Sequence, residues 1–297
     1  MSLPLKRFGR GRWGFGDMKV TLAKSAGFCY GVRRALDTVL EAAKVRDMPM
    51  FTLGPLIHNP QVIERLESYG IKSVKGLDEV PSGSILIMPS HGVPKEVKAC
   101  AEEMGLEIID VTCPFVAKVH RLAEKLVKEG YQVVVLGDKD HTEVRGIMSV
   151  CSEGAVAVSS AQQLEEHNLS DKVGVVSQTT QTSERLQDLV AGIVPHAHEV
   201  RSYNTICDAT VDRQEATLEL IHDVDVMVVV GGRNSANTGR LAQICSETGI
   251  PTYHVEIADE VDDSWFSGVG SVGVTAGAST PDWVIDEVVE KIKGIDK

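Results

Sequence analysis

The stretch SAGFCYGV, residues 25–32, sets one cysteine, Cys29, between Gly27 and Gly31 where an amphipathic helical pattern begins. No second cysteine stands two or three residues away, so it is neither a Cys-x-x-Cys redox pair nor half of a zinc finger. The same arrangement returns twice, as DVTCPFVAKV around Cys113 and NTICDATVDRQEA around Cys207. The three turns recur at roughly 90-residue intervals, a period that marks repeated structural units.

Between them, short β-branched runs alternate with helical patterns, the signature of an α/β chain with largely parallel sheets. The clearest strands are at 85–88, 133–136, 173–176, 226–230 and 272–274, and the clearest helices at 33–44, 116–129, 212–222 and 282–293. In VAKVHRLAEKLVKEG, apolar residues fall at 3–4 spacing and Gly130 marks the C-cap. Each interval also holds two more strand-to-helix turns: TLGPLIHNPQVIERL and ILIMPSHGVPKEV, then VVVLGDKDHTEVRGI and VGVVSQTTQTSERL, then VMVVVGGRNSANTGRL and VGVTAGASTPDWVI. The expected fold is therefore α/β, with three similar α/β modules packed around a shared centre. Their expected bounds are 31–113 for module one, 114–203 for module two, and 18–30 with 204–297 for module three. Residues 1–17, MSLPLKRFGRGRWGFGD, read as a flexible basic tail.

Composition limits the function. The 297 residues are 43% hydrophobic and carry a formal net charge of −12. That balance argues against a general binder of nucleic acid or anionic membrane. No apolar run approaches the roughly 18 residues of a membrane helix. Six cysteines without a secretion signal point to a reducing cytoplasm rather than a disulfide scaffold. Cys100, Cys151 and Cys245 lie in helix-like contexts and read as core thiols.

Ligands of open α/β sheets bind beyond the carboxyl ends of the strands, where helix N-termini favour anions. Ser90, Ser235 and Ser279 each read individually as helix caps. Six polar turns converging would instead cage a small, strongly anionic ligand. GGRNSANTGR carries no P-loop lysine and no Gly-x-Gly-x-x-Gly follows the first strand, so a nucleotide is not expected. Three thiolates from three modules would suit zinc, copper(I) or an iron–sulfur cluster. A four-iron cluster held by three cysteines keeps one iron open, whereas structural zinc normally takes four ligands. Glu143 in HTEV fits either a solvated first-turn carboxylate or a buried proton donor. His58 and His91 occupy matching turns of module one, while the six histidines besides these and His141 read as structural or surface groups.

Taken in order, GFCYGV, GPLIHNPQV, SHGV, DVTCPFVAKVH, HTEVRG, SQTTQT, NTICDATVDRQEA, RNSANTGRL and VGVTAGASTPD resemble the motifs of the LytB/IspH-type 4-hydroxy-3-methylbut-2-enyl diphosphate reductase family. The resemblance runs from about Met18 to the C-terminus. It implies a pseudo-threefold trefoil around a central [4Fe-4S] cluster held by Cys29, Cys113 and Cys207, with the fourth iron open to substrate. It further implies reductive dehydroxylation of the allylic diphosphate, the last step of the non-mevalonate isoprenoid pathway, by two one-electron transfers. Glu143 matches the family's acid and Thr179 its neighbour at the substrate hydroxyl. His58, His91, His141, Ser235, Asn237 and Ser279 match the diphosphate shell, with Thr180 and Gln178 weaker matches. The implied partners are the substrate and an electron donor of the ferredoxin or flavodoxin type, with a cytoplasmic monomer expected. Ala236 departs from the pattern, standing where some members carry a second serine. Two rivals remain at this point: a three-thiolate zinc hydrolase of a phosphorylated metabolite, and a redox sensor with an exposed cluster.

Overall fold

The computed structural model describes residues 18–151 and 153–295, so the basic tail expected at 1–17 lies outside the described residues. Three four-stranded sheets, all parallel, carry the fold. In chain order the elements begin with β1 (Lys19–Leu22) and α1 (Tyr30–Val45). The first complete set is β2 (Met50–Leu53), α2 (Pro60–Ser68), β3 (Ile71–Val74), β4 (Ile85–Met88), α3 (Lys95–Glu103) and β5 (Glu107–Asp110). After α4 (Pro114–Lys128) come β6 (Gln132–Leu136), α5 (Thr142–Ser149), β7 (Val156–Val158), β8 (Lys172–Ser177), α6 (Ser183–Ile193) and β9 (Glu199–Ser202). The last set is α7 (Asp208–Ile221), β10 (Val226–Val230), α8 (Ala236–Glu247), β11 (Thr252–Val255), β12 (Ser271–Ala276) and α9 (Asp282–Ile295).

The sheet orders expose the repeat. They run β3-β2-β4-β5, β7-β6-β8-β9 and, read from the other edge, β11-β10-β12-β1. In each sheet the first strand of the unit is second from one edge, the next strand takes that edge, and the chain then crosses to the third position. The third sheet takes its fourth strand from the start of the chain, with Lys19 to Leu22 in register with Ser271 to Val274. Each fourth strand leads into a cysteine turn: β1 into Cys29, β5 into Cys113, β9 into Cys207.

Central strands are apolar because helices cover both faces of a parallel sheet. All of Ile85–Met88 and Val133–Leu136 are fully buried, as is nearly all of Val226–Val230. Two apolar clusters flank each sheet, for example one under α1 and α2 around Val39, Val62 and Ile87, and another under α3 around Leu86, Met88 and Ala101. The helices end as the sequence indicates, with Gly130 at φ +81° just beyond α4.

Two readings of single residues need correction. Ser90 and Ser279 are not caps: Pro94 precedes α3 and the Ser90 hydroxyl donates to the Leu56 carbonyl at 3.1 Å, while α9 begins three residues after Ser279. Of the three additional cysteines only Cys245 is core; Cys100, on α3, is exposed and Cys151, two residues beyond the end of α5, is half-buried.

Candidate active site

The turns at the carboxyl ends of the first, third and fourth strands of each sheet converge on one cavity of about 130 Å³. Twelve of the residues singled out from sequence line it: Cys29, Cys113, Cys207, His58, His91, His141, Glu143, Thr179, Thr180, Ser235, Asn237 and Ser279. The topology explains the grouping. First-strand turns supply His58, His141 and Ser235, third-strand turns supply His91, Thr179 and Ser279, and fourth-strand turns supply the cysteines.

Each cysteine occupies the N-cap of its helix in extended backbone, and none of the three side chains caps its helix end by hydrogen bonding. Each is tied to the neighbouring third-strand turn by the same bond. The amides of Cys29, Cys113 and Cys207 donate to the carbonyls of Ala278, Ser90 and Thr179 at 3.0, 2.8 and 2.9 Å. This threefold bond fixes the thiols relative to the polar turns. Burial pushes the Cys207 thiol up to about 11 and raises Cys113, while the first-turn amides of their helices oppose the shift.

Gly31 brings the thiols together. A Cβ at this position would lie 2.6 Å from Cys113 Sγ and 3.9 Å from Cys29 Sγ. Among the described residues no three His, Cys, Asp or Glu side chains close on a point suited to one metal ion. Three soft donors thus border a common space, and that donor set fits a thiolate-bound cluster larger than a single ion.

Glu143 is 3% exposed, and its carboxylate accepts from the Thr179 amide at 2.7 Å and from the Thr179 hydroxyl at 3.0 Å. Burial raises its carboxyl to about 7, with the two Thr179 bonds pulling the other way. It therefore exchanges a proton near neutral pH, as an acid–base group should.

Three imidazoles form the next wall. His58 stacks on His91 with ring centres 4.7 Å apart and lies 5.3 Å from His141. Burial depresses all three, His91 to about 3 and His141 to about 4, and their mutual repulsion adds to the shift on these two. The N-cap of α5 is His141, whose Nδ1 accepts from the Glu143 amide at 3.1 Å, leaving the ring proton on Nε2. At α8 the cap is Ser235, its hydroxyl accepting from the Thr238 amide at 3.3 Å.

Several polar atoms around the cavity are buried with no partner among the described residues: His58 Nε2, His91 Nδ1, and both Oδ1 and Nδ2 of Asn237. Leaving such atoms unpaired costs about 1–3 kcal/mol each. A polar ligand in the cavity would offset that cost. The Ser279 hydroxyl donates to the His58 carbonyl and to Ser235 Oγ, both at 3.4 Å, joining turns of two sheets at the same wall.

Sequence reasoning missed Thr210, which lines the cavity one turn into α7, three residues after Cys207. Helical spacing from that cysteine was the available signal. Gln178 does not line the cavity; its side-chain carbonyl accepts from the Asp138 amide at 3.3 Å.

Fold and site together define a class: a three-sheet α/β protein with a buried carboxyl, a wall of three histidines and three thiols in one cavity. The chain belongs to the LytB protein family, whose sequence model matches residues 20–293. It is 50% identical to the 4-hydroxy-3-methylbut-2-enyl diphosphate reductase of Citrifermentans bemidjiense over 280 residues, covering 94% of this chain and 99% of that one. The reductase of the same name from Geobacter sulfurreducens is 48% identical over 279 residues, covering 94% and 98%. A solved (E)-4-hydroxy-3-methyl-but-2-enyl diphosphate reductase, the terminal enzyme of the non-mevalonate pathway, superposes with a TM-score of 0.69 at 41% identity, covering 93% of this chain and 99% of that one. The solved E-1-hydroxy-2-methyl-but-2-enyl-4-diphosphate reductase of Plasmodium falciparum gives 0.87 at 29% identity, covering 93% and 88%.

Proposed function

We propose that this protein is a 4-hydroxy-3-methylbut-2-enyl diphosphate reductase, catalysing the last step of the non-mevalonate isoprenoid pathway. The substrate's allylic C–O bond is broken with two electrons and two protons, giving isopentenyl or dimethylallyl diphosphate and water. The observation that carries this reading is the convergence in one cavity of Glu143, poised near neutral pH, with three cysteines from three sheets.

Cys29, Cys113 and Cys207 hold one [4Fe-4S] cluster in this reading, a role supported by their N-cap positions and by the close approach of Gly31. When bound, the cluster supplies the electrons and an open iron as Lewis acid toward the substrate hydroxyl. Glu143 donates the proton with which that hydroxyl leaves as water, and Thr179 holds the carboxyl in place. His58, His91 and His141, with Ser235, Asn237, Ser279 and Thr180, bind the diphosphate through hydrogen bonds. The N-termini of α5 and α8 add partial positive charge beside it.

The modules act as 31–113, 114–203, and 18–30 with 204–297; the first carries Cys113, and the third carries Cys29 and Cys207, the latter in the turn that follows β9 of the second. Electrons arrive from an external carrier of the ferredoxin or flavodoxin type, and the enzyme works as a cytoplasmic monomer. No helix among the described residues is long and apolar enough to cross a membrane. The test is anaerobic incubation of the cluster-loaded protein with the allylic diphosphate and a reduced viologen dye. Dye oxidation matched by formation of both isoprenyl diphosphates is expected; a loaded protein that leaves the diphosphate unchanged would refute the assignment.

A further inference from the structure

Arg213 is a buried cation that the reaction outlined above does not use. It sits on α7, six residues after Cys207, and is 6% exposed. One guanidinium nitrogen donates to the Ala209 carbonyl at 2.6 Å, and the other terminal nitrogen donates to the Gly27 carbonyl at 2.6 Å. These bonds hold the loop entering Cys29 against the helix that follows Cys207. Neither carbonyl neutralises the charge, and Arg213 forms no ion pair within 4.0 Å among the described residues. Its nearest acidic neighbour in sequence, Asp212, is exposed. The ionisable groups whose negative charge acts most strongly on it are Cys29 and Cys207.

Burying a guanidinium without an anion costs several kcal/mol, and a fixed charge in a low dielectric acts strongly on its neighbours. With neutral thiols that cost is uncompensated. With thiolates ligating a cluster, negative charge lies two residues beyond Gly27 and two residues before Ala209, the carbonyls that the guanidinium bonds. The net charge beside a cluster is one of the determinants of its potential.

We propose that Arg213 is the built-in countercharge of the three-cysteine centre and raises the reduction potential of the cluster held there, so that an electron enters it more readily. This rests on the iron–sulfur reading. It makes Arg213 a positioning residue that touches neither substrate nor reacting atoms. A purely mechanical role, clamping Gly27 to Ala209, is the competing explanation, and potential rather than turnover separates the two.

The experiment compares wild-type, Arg213→Gln and Arg213→Lys holoenzymes, loaded anaerobically, by potentiometric titration followed by electron spin resonance. For Arg213→Gln the midpoint should move to lower potential by a tenfold change in the reduction equilibrium or more, about 59 mV for one electron. Arg213→Lys, which keeps the charge, should stay near the wild-type midpoint. A loaded Gln variant at the wild-type potential, or a Lys variant shifted as far as Gln, would overturn the proposal. If Arg213→Gln takes up no cluster, the Lys variant decides: loading at the wild-type midpoint supports the countercharge, and failure to load establishes the clamp instead. Wild-type protein that binds no iron and sulfide would defeat the cofactor reading and not this inference alone.

Discussion

Thr179 holds both oxygens of Glu143, one through its amide at 2.7 Å and the other through its hydroxyl at 3.0 Å. The pair spans two turns of one sheet, the amide end following β8 and the carboxylate opening α5. Both bonds stabilise the ionised carboxylate and so work against the burial that lifts it to about 7. Thr179→Val removes only the hydroxyl bond. The alkaline limb of the pH–rate profile should then move to higher pH, since the carboxyl loses a stabiliser of its charged form. An unmoved limb would separate Thr179 from the acid.

Glu143→Gln should lower kcat by roughly the 10²–10⁴-fold typical of losing an acid–base group, with iron content unchanged. It should also stabilise the fold at alkaline pH. The folded-state pKa lies above the ordinary value of 4.5, so Glu143 favours the fold at low pH and that contribution is lost as pH rises through about 7. The variant should therefore be more stable than wild type at pH 8, by on the order of 3 kcal/mol at most and read as a higher Tm, with the gap shrinking toward pH 5. Thermal melts of the apoprotein at both pH values check the sign.

Binding of a diphosphate should take up protons. His91 and His141 are held near 3 and 4 by burial first and then by the neighbouring imidazoles, His58 acting on both, so these two rings are neutral without ligand. An adjacent polyanion favours the charged imidazole and raises these values. Calorimetric titration with inorganic diphosphate near pH 6, in buffers of different ionisation enthalpy, should show net proton uptake. The depressed values also stabilise the fold above the ordinary 6.5, and that stabilisation falls away as pH drops toward 4. Diphosphate should accordingly protect against acid unfolding in that window.

Asn237 is buried with both side-chain polar atoms unpartnered among the described residues. Replacing it by leucine should leave Tm equal or higher while raising KM for the diphosphate roughly 10–100-fold, the value of hydrogen bonds to a charged group. A loss of stability with unchanged KM would make Asn237 structural.

Much of this site was legible because its chemistry sits in turns. Cys29, Cys113 and Cys207 each precede a helix, and the central strands 85–88 and 226–230 are unbroken apolar runs because both faces are covered. The fourth strands of the sheets were hard to see. Lys19–Leu22, Glu107–Asp110 and Glu199–Ser202 are half-exposed edge strands of mixed polarity, only four residues each, too short for an apolar run or an alternation to stand out. Arg213 was equally silent, since nothing in DRQEA distinguishes a guanidinium turned inward against two carbonyls from one on a solvated face. His120 is similar: its half-buried ring fills the space between Gly92 and Gly146, a contact set by packing across modules.

Gly31→Ala probes the centre from another side. A methyl group there would stand 2.6 Å from Cys113 Sγ, so the variant should keep its fold but lose most of its iron and sulfide. Colorimetric iron and sulfide counts beside a circular-dichroism melt would distinguish this from simple unfolding.

The central claim is that three cysteines from three sheets hold a cluster with one iron left for the substrate. Mössbauer spectroscopy of anaerobically purified, iron-57-labelled protein, with and without the allylic diphosphate, tests it directly. The account predicts one four-iron cluster per chain with a distinct iron site whose signal changes when the diphosphate is added. A colourless zinc protein, or a cluster whose spectrum the diphosphate leaves untouched, would contradict it.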